Sequence, residues 1–466
     1  MKVKKLIVFV ILVFFHQSCY LNPIIKTLWL KDKTESIISP LVPALFRSQT
    51  NTTSLTAPSI LSVSPTSGIE GDTVTITGTN FGEDTVLTFE GNVNASLTSR
   101  TSNTLVATIP SNGKSGNIKV TTSSLSATSA VSFSVYRYFV YIPVGTNLEI
   151  YTFNPNTGAV SAVSGSPFSS TQGGYVDPSG KFMYSAIFAA APNNIKSYKI
   201  NSTTGVLSPT TVPLSSANNS PTYMVFHPTS KFLYVSNYSS LDVSAFSIDQ
   251  STGNLTKIND YTTGCGCSNL AQLRLTPDGK YLYINGNGPN NITGYSIDQT
   301  TGALSNIGNQ ALAGFFDDVL IDPNSTFLYS VSSTGTISGF SINSGSGAIT
   351  ALPSSPFSGT ANNMRGAMHP SGKYLYTVNI GGAQLAKHDI ASDGTLSSPS
   401  TLSFGTNLQY VSIDPTGKYG FVNSGVSANY YTFSIDQTNG STSLITGNPF
   451  SISGVAGQLS IIRIAQ

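Results

Sequence analysis

Six times in the C-terminal part of the chain an apolar run closes on a proline, at Pro178, Pro228, Pro277, Pro323, Pro370 and Pro415, with separations of 50, 49, 46, 47 and 45 residues. A period in this range is the length of a four-stranded unit that cannot bury its faces alone and must stack against copies of itself. Each unit reads alike. An inner strand ends in a tight turn ("DPSG", "HPTS", "TPDG", "DPNS", "HPSG", "DPTG"), whose Pro followed by Gly or Ser suits a β-turn. A second strand follows ("KFLYVSN", "KYLYTVN"), then a third with an aromatic residue near its centre ("VSAFSID", "ITGYSID"), and "QSTGNLT" or "QTTGALS" leads to the outermost strand.

Six prolines do not mean six units. The stretch "YFVYIPVGTNLEIYTFNPNTGAVSAV" from Tyr138 has the later strands of a unit with no inner strand before it, and the chain ends in "QLSIIRIAQ", an inner strand with nothing after it. Joining the two makes a seventh blade and removes the free edges that invite aggregation. The expectation is a seven-bladed β-propeller over residues 136–466, closed by the C-terminal strand.

The repeated phrase, with "YVSN" at 234–237, resembles the lactonase family of seven-bladed propellers, which contains 6-phosphogluconolactonase-like enzymes and muconate cycloisomerases, and is similar to the YVTN-type repeats of bacterial surface proteins. The resemblance implies the fold and, as one possible activity, lactone hydrolysis at the channel mouth. Members of the family carry "PRHMVFHP" in an inner strand, its first histidine a channel-lining catalytic candidate; here the words are "PTYMVFHP", with Thr222 and Tyr223 in place of Arg and His.

From Pro58 to about residue 135, period-two alternation is punctuated by Gly and Pro every 8 to 12 residues, the signal of a small antiparallel sandwich. "SPTSGIEGDTVTITGTNFG", residues 64–82, resembles the IPT/TIG family of immunoglobulin-like domains, which implies a spacer or adhesion module over 57–135. The fold class is therefore all-β, an Ig-like sandwich followed by the propeller. Ahead of both, Lys2, Lys4 and Lys5 precede an apolar run at 6–15 that is short for a membrane span. Together with "FHQSC" this resembles a bacterial lipoprotein signal over 1–18, lipidated at Cys19, with 19–56 as a tether that holds Trp29, the single tryptophan. The expected location is the cell envelope, outer membrane or cell surface, with the membrane reached through a lipid anchor.

Charge excludes one partner class: 23 Lys plus Arg against 21 Asp plus Glu, without a basic cluster beyond the N-terminus, argues against nucleic acid. Counting back from the turn prolines places the chemistry. Positions minus four and minus two are apolar or Gly, as blade packing requires. Position minus five holds Gly173, Tyr223, Gln272, Asp318, Arg365 and Tyr410, with Arg274 one layer deeper. The expectation is a shallow polar cup of Tyr223, Gln272, Asp318, Arg365 and Tyr410 that recognises a sugar or small anion, in which Arg365 keeps Asp318 ionised and its pKa low. His227 and His369 precede turn prolines and are read as turn caps, and His388 as structural. Cys265 and Cys267, in "TGCGC", are open to three readings: a disulfide, reduced thiols or a metal site. Neither a cofactor nor a metal is expected. The resulting reading is a monomeric surface protein that binds an unknown protein or carbohydrate without catalysis; a lactonase-type hydrolase is the alternative.

Overall fold

The computed structural model describes residues 56–466 except 170–172, 189–194, 211–214, 216, 288–290, 313–315, 361–363, 380–381 and 406. The signal segment, Cys19 and Trp29 lie outside the described residues. Residues 57–466 form one compact unit, and among the described residues no helix is long and apolar enough to cross a membrane.

The sandwich begins with a sheet of Ser59–Ser64, Thr73–Thr79, Thr104–Thr108 and Ser96–Arg100, paired in that order. Strict alternation in "TVTITGT" turns Val74 and Ile76 inward, where they meet Leu87, Phe89, Leu105, Ile118, Val120 and Phe133 from both sheets. Phe89 and Phe133 cross edge to face at 5.4 Å, the geometry that ring quadrupoles favour.

One strand, Leu125–Val144, is 20 residues long and serves both parts of the molecule. Its first half pairs with Lys114–Thr122 in the sandwich, and its second half pairs with Asn147–Phe153 in the propeller. A boundary drawn between 135 and 136 therefore falls within a continuous strand. Side chains brace the junction: Arg137 donates to Thr203 O at 2.6 Å and to Ser111 O, and Asn156 donates to the Asp72 carboxylate at 2.5 Å.

Six blades each pair four consecutive strands in order, with inner strands Tyr175–Val176, Pro221–Phe226, Asn269–Leu275, Phe316–Ile321, Met364–Met368 and Leu408–Ile413. The seventh is composite. Ser460–Ala465 lies antiparallel to residues 136–141, from Ser460 opposite Tyr141 to Ala465 opposite Tyr136, and supplies its inner strand.

The repeated "FLY" and "TG" words now have a physical cause. The outer turn of each blade carries a glycine at positive φ, Gly158, Gly205, Gly253, Gly302, Gly347, Gly394 and Gly440, between 69° and 84°. Each lies flat on an aromatic ring of the preceding blade: Tyr419, Phe139, Phe182, Phe232, Tyr281, Phe327 and Tyr374 respectively. The tyrosine two residues after that ring donates its hydroxyl to the same glycine's carbonyl, as in Tyr141 to Gly205 (2.9 Å), Tyr184 to Gly253 (2.9 Å), Tyr234 to Gly302 (3.0 Å) and Tyr376 to Gly440 (2.6 Å). In the sixth blade Phe421 occupies that place, and Tyr419 itself donates to Asn156 O at 3.1 Å. The histidine turns form a second tie. His227 and His369 each accept at Nδ1 from a hydroxyl of their own turn, Thr229 and Ser371, both at 2.7 Å, and donate from Nε2 to the next blade, to Gly279 O at 3.2 Å and Gly417 O at 2.9 Å.

This stacking is testable. A Cβ at Gly440 would lie 2.7 Å from the Tyr374 ring at a φ of 69°. Gly440→Ala combines a left-handed backbone penalty with overpacking, together about 3 kcal/mol. At Gly145 (φ 59°) a Cβ meets nothing within 4 Å, so Gly145→Ala isolates the backbone part, about 1 kcal/mol. Thermal unfolding of the two variants should separate them; equal losses would remove the ring contact from the account.

Candidate functional site

The strand starts that face the channel are built around bulges. Pairing registers shift between Pro221 and Tyr223, Leu270 and Leu273, Phe316 and Asp318, and Leu408 and Val411, whereas in the fifth blade Arg365 stays in register opposite Val378. Bulges bend a strand and re-aim its side chains, and they concentrate beside sites. Position minus four, just past each bulge, remains packing: Met224, Leu273, Val319 and Val411 are buried.

Residues of blades 1, 2, 3, 6 and 7 line an open cavity of about 510 Å³. Its polar wall is made by Tyr175, Thr222, Tyr223, Arg274, Tyr410, Gln458 and Ser460, and Arg274 is the one charged side chain among the described lining residues. Tyr175 donates to Thr222 O at 3.1 Å, and Ser460 donates to Gly174 O at 3.1 Å, tying blade 1 to its neighbours on both sides. Tyr410 is fixed through its backbone N–H, which donates to Asn423 Oδ1 at 2.7 Å.

Arg274 reaches from the third blade to Asp318 in the fourth, Nη2 to Oδ1 at 3.1 Å; its side chain is 26% exposed and that of Asp318 1%. Asp318 also accepts backbone N–H bonds from Val319 at 2.9 Å and Gly366 at 3.3 Å. The expectation that a neighbouring arginine lowers the Asp318 pKa is corrected. Burial pushes this carboxyl above its ordinary value, against the opposing pull of Arg274, Arg365 and the two N–H bonds, because the cost of removing a carboxylate from water exceeds what those partners return. Burial likewise pushes Tyr175 and Tyr410 up, with the neighbouring Tyr223 next in importance for both. These hydroxyls are therefore neutral hydrogen-bonding groups at physiological pH.

Of the residues singled out by sequence, Tyr223, Arg274 and Tyr410 line the cavity, while Gln272, Asp318 and Arg365 are not among its lining residues. The Arg365 guanidinium lies 5.5 Å from the centre of the Tyr410 ring. Gln272 is fully buried, and among the described residues neither of its amide atoms has a hydrogen-bond partner. Tyr175, Gln458 and Ser460 escaped the proline count. Tyr175 sits at minus three, and the closing strand has Arg463 where the others have the turn proline. The second-strand tyrosine would have found Tyr175 and Ser460, because Tyr184 faces Tyr175 and Tyr141 faces Ser460 just as Tyr283 faces Arg274.

Cys265 and Cys267 are joined in a disulfide and buried at the edge of the core between blades 2 and 3. His388 is buried, donates from Nδ1 to Ser397 O at 3.1 Å, and is pushed toward the neutral form by burial. Among the described residues no three His, Cys, Asp or Glu side chains cluster as a metal would require.

Seven four-stranded blades around a channel, with a sandwich welded to the first of their strands, define the class: a β-propeller with an immunoglobulin-like domain. The chain belongs to the lactonase family of seven-bladed β-propellers, which matches residues 142–264, 174–364 and 317–408, and its sandwich matches the IPT/TIG domain over 58–135. A 6-phosphogluconolactonase of Formosa agariphila is 29% identical over 130 residues, 26% of this chain and 35% of that protein, so the match spans about a third of the curated relative. Among solved structures, a 6-phosphogluconolactonase candidate from Bacteroides fragilis superposes with a TM-score of 0.57 at 20% identity, covering 70% of this chain and 98% of its own. A periplasmic gluconolactonase from Pseudomonas aeruginosa gives 0.56 at 15% identity, covering 70% and 99%. At these identities the superpositions speak for the fold.

Proposed function

We propose that this chain is an exported, lipid-anchored envelope protein whose propeller binds a small polyhydroxylated anion of the sugar-acid class at the channel mouth and releases it unchanged. The observation that carries this reading is Arg274, a guanidinium held by Asp318 at one end and open to a cavity walled by Tyr175, Tyr223 and Tyr410. Arginine presents paired N–H donors that match a carboxylate, and tyrosines combine ring faces for C–H surfaces with hydroxyls for polyols. A monomer is part of the proposal, as is lipidation at Cys19, which rests on the basic n-region, the apolar run and the Ser18–Cys19 junction.

Isothermal titration of the full chain with gluconate tests it. The wild type should bind, and Arg274→Met should weaken binding about tenfold or more, the usual worth of a charge-assisted hydrogen bond. No binding, or binding indifferent to Arg274, would contradict the proposal.

A second reading, lactone hydrolysis, is favoured by the family and by the names of its relatives. Against it stands the chemistry of the wall. Hydrolysis needs a group that accepts a proton near neutral pH. Arginine is too basic, Tyr175 and Tyr410 are held protonated, and Asp318 lies beneath the surface.

A further inference from the structure

Just past the second strands of blades 1 and 2 stand two aromatic residues. Counting four residues on from the latch tyrosine, or its phenylalanine replacement, gives Phe188, Tyr238, Asn287, Ser333, Ile380, Gly425 and Gly145 around the ring. Five blades close without an aromatic ring at this position. The two that carry one are adjacent, and their inner strands hold Tyr175 and Tyr223. Phe188 is 58% exposed and Tyr238 38% exposed, and their rings meet edge to face with centroids 5.8 Å apart. Phe188 and Arg274 line the same 510 Å³ cavity.

We infer that Phe188 and Tyr238 form a second subsite that stacks on a pyranose ring, so that the ligand is an oligosaccharide acid whose charged end occupies the cup and whose next sugar lies on this aromatic pair. The inference rests on the sugar-acid reading above. Large apolar side chains gathered at a cavity rim mark a binding surface, and an aromatic face pairs with the C–H face of a sugar while a tyrosine hydroxyl serves its hydroxyl groups. The surroundings select a saccharide over an apolar peptide: Thr222, Gln458, Ser460 and the tyrosines line the same cavity, and an apolar chain would strip water from these polar groups without returning hydrogen bonds.

The test compares two probes with the same acid end, gluconate and cellobionate, the latter carrying one added glucosyl ring, titrated into the full chain. Cellobionate should bind about tenfold more tightly, and the double variant Phe188→Ala/Tyr238→Ala should erase that ratio while its melting temperature stays that of the wild type. Gluconate bound with no gain from the second ring would overturn the subsite and leave the cup standing. Neither acid bound would overturn both. A concentration-dependent rise in mass, lost in the double variant, would assign the pair to contact between two copies of the chain and overturn the saccharide subsite.

Discussion

Deletion of residues 458–466 is expected to abolish the cooperative unfolding transition of the propeller. The strand lost, Ser460–Ala465, forms a six-pair antiparallel ladder with residues 136–141. With it go Leu459 and Ile464, both buried, and Ile461 and Ile462, half-buried against the cores of two blades. Gln466 bridges three elements, donating from Nε2 to Ser202 O at 2.8 Å and from its backbone N–H to Val135 O at 2.9 Å, and accepting from Ser115 N–H at 2.9 Å. Ladder bonds at about 1 kcal/mol each and large side chains at about 1.5–3 kcal/mol each sum to roughly 10 kcal/mol. That equals the whole stability of an ordinary domain, about 5–15 kcal/mol. The deletion also strips residues 136–141 of their partner and leaves that strand as an open edge, with aggregation as the second expected symptom. Calorimetry should find a broad or absent transition; a peak at the wild-type temperature would mean that the ring does not depend on this strand.

The second large effect belongs to Arg274→Met. Removing one member of a buried ion pair strands the other, at a cost of about 3–5 kcal/mol, and Asp318, 1% exposed, is the stranded partner. The sign of the pH dependence follows from the carboxyl. Its pKa in the fold already lies above its ordinary value through burial, and losing Arg274 raises it further. The unfolded chain has an aspartate of pKa about 3.9. A group whose folded pKa is the higher one contributes stability that is fully present below the unfolded value and lost as pH rises through the folded one. The deficit of Arg274→Met against wild type should therefore be largest at neutral pH and shrink toward pH 4 in denaturant titrations. Adding Asp318→Asn should restore much of the loss at pH 7. A deficit independent of pH would mean that the damage is one of packing.

The blade plan was legible because its signals are local. A proline after an apolar strand, a glycine at positive φ and an aromatic two residues ahead of a tyrosine each answer a steric or hydrogen-bonding need that recurs from blade to blade, the proline and the tyrosine in six of the seven and the glycine in all, so they recur in the sequence. Ring closure was legible for the same reason, since unpaired strands at both ends must meet. The site was only half legible. Tyr223, Arg274 and Tyr410 reach the cavity, but counting residues assumes a regular ladder, and the bulges at Tyr223, Gln272, Asp318 and Tyr410 break it where the site begins. Asp318 accordingly turns to Arg274 of the preceding blade, and its burial, which sequence does not report, reverses the expected pKa direction. Gln458 and Ser460 were missed because their strand lacks the proline from which the others were counted.

The central claim is that this member of a lactonase family binds a sugar acid without turning its lactone over. The direct measurement is the rate of δ-gluconolactone opening in the presence of the full chain, against the spontaneous rate at the same pH. The account predicts no acceleration, while gluconate binds and Arg274→Met weakens that binding. Turnover that rises with protein concentration and disappears in Arg274→Met would contradict it and make the channel mouth an active site.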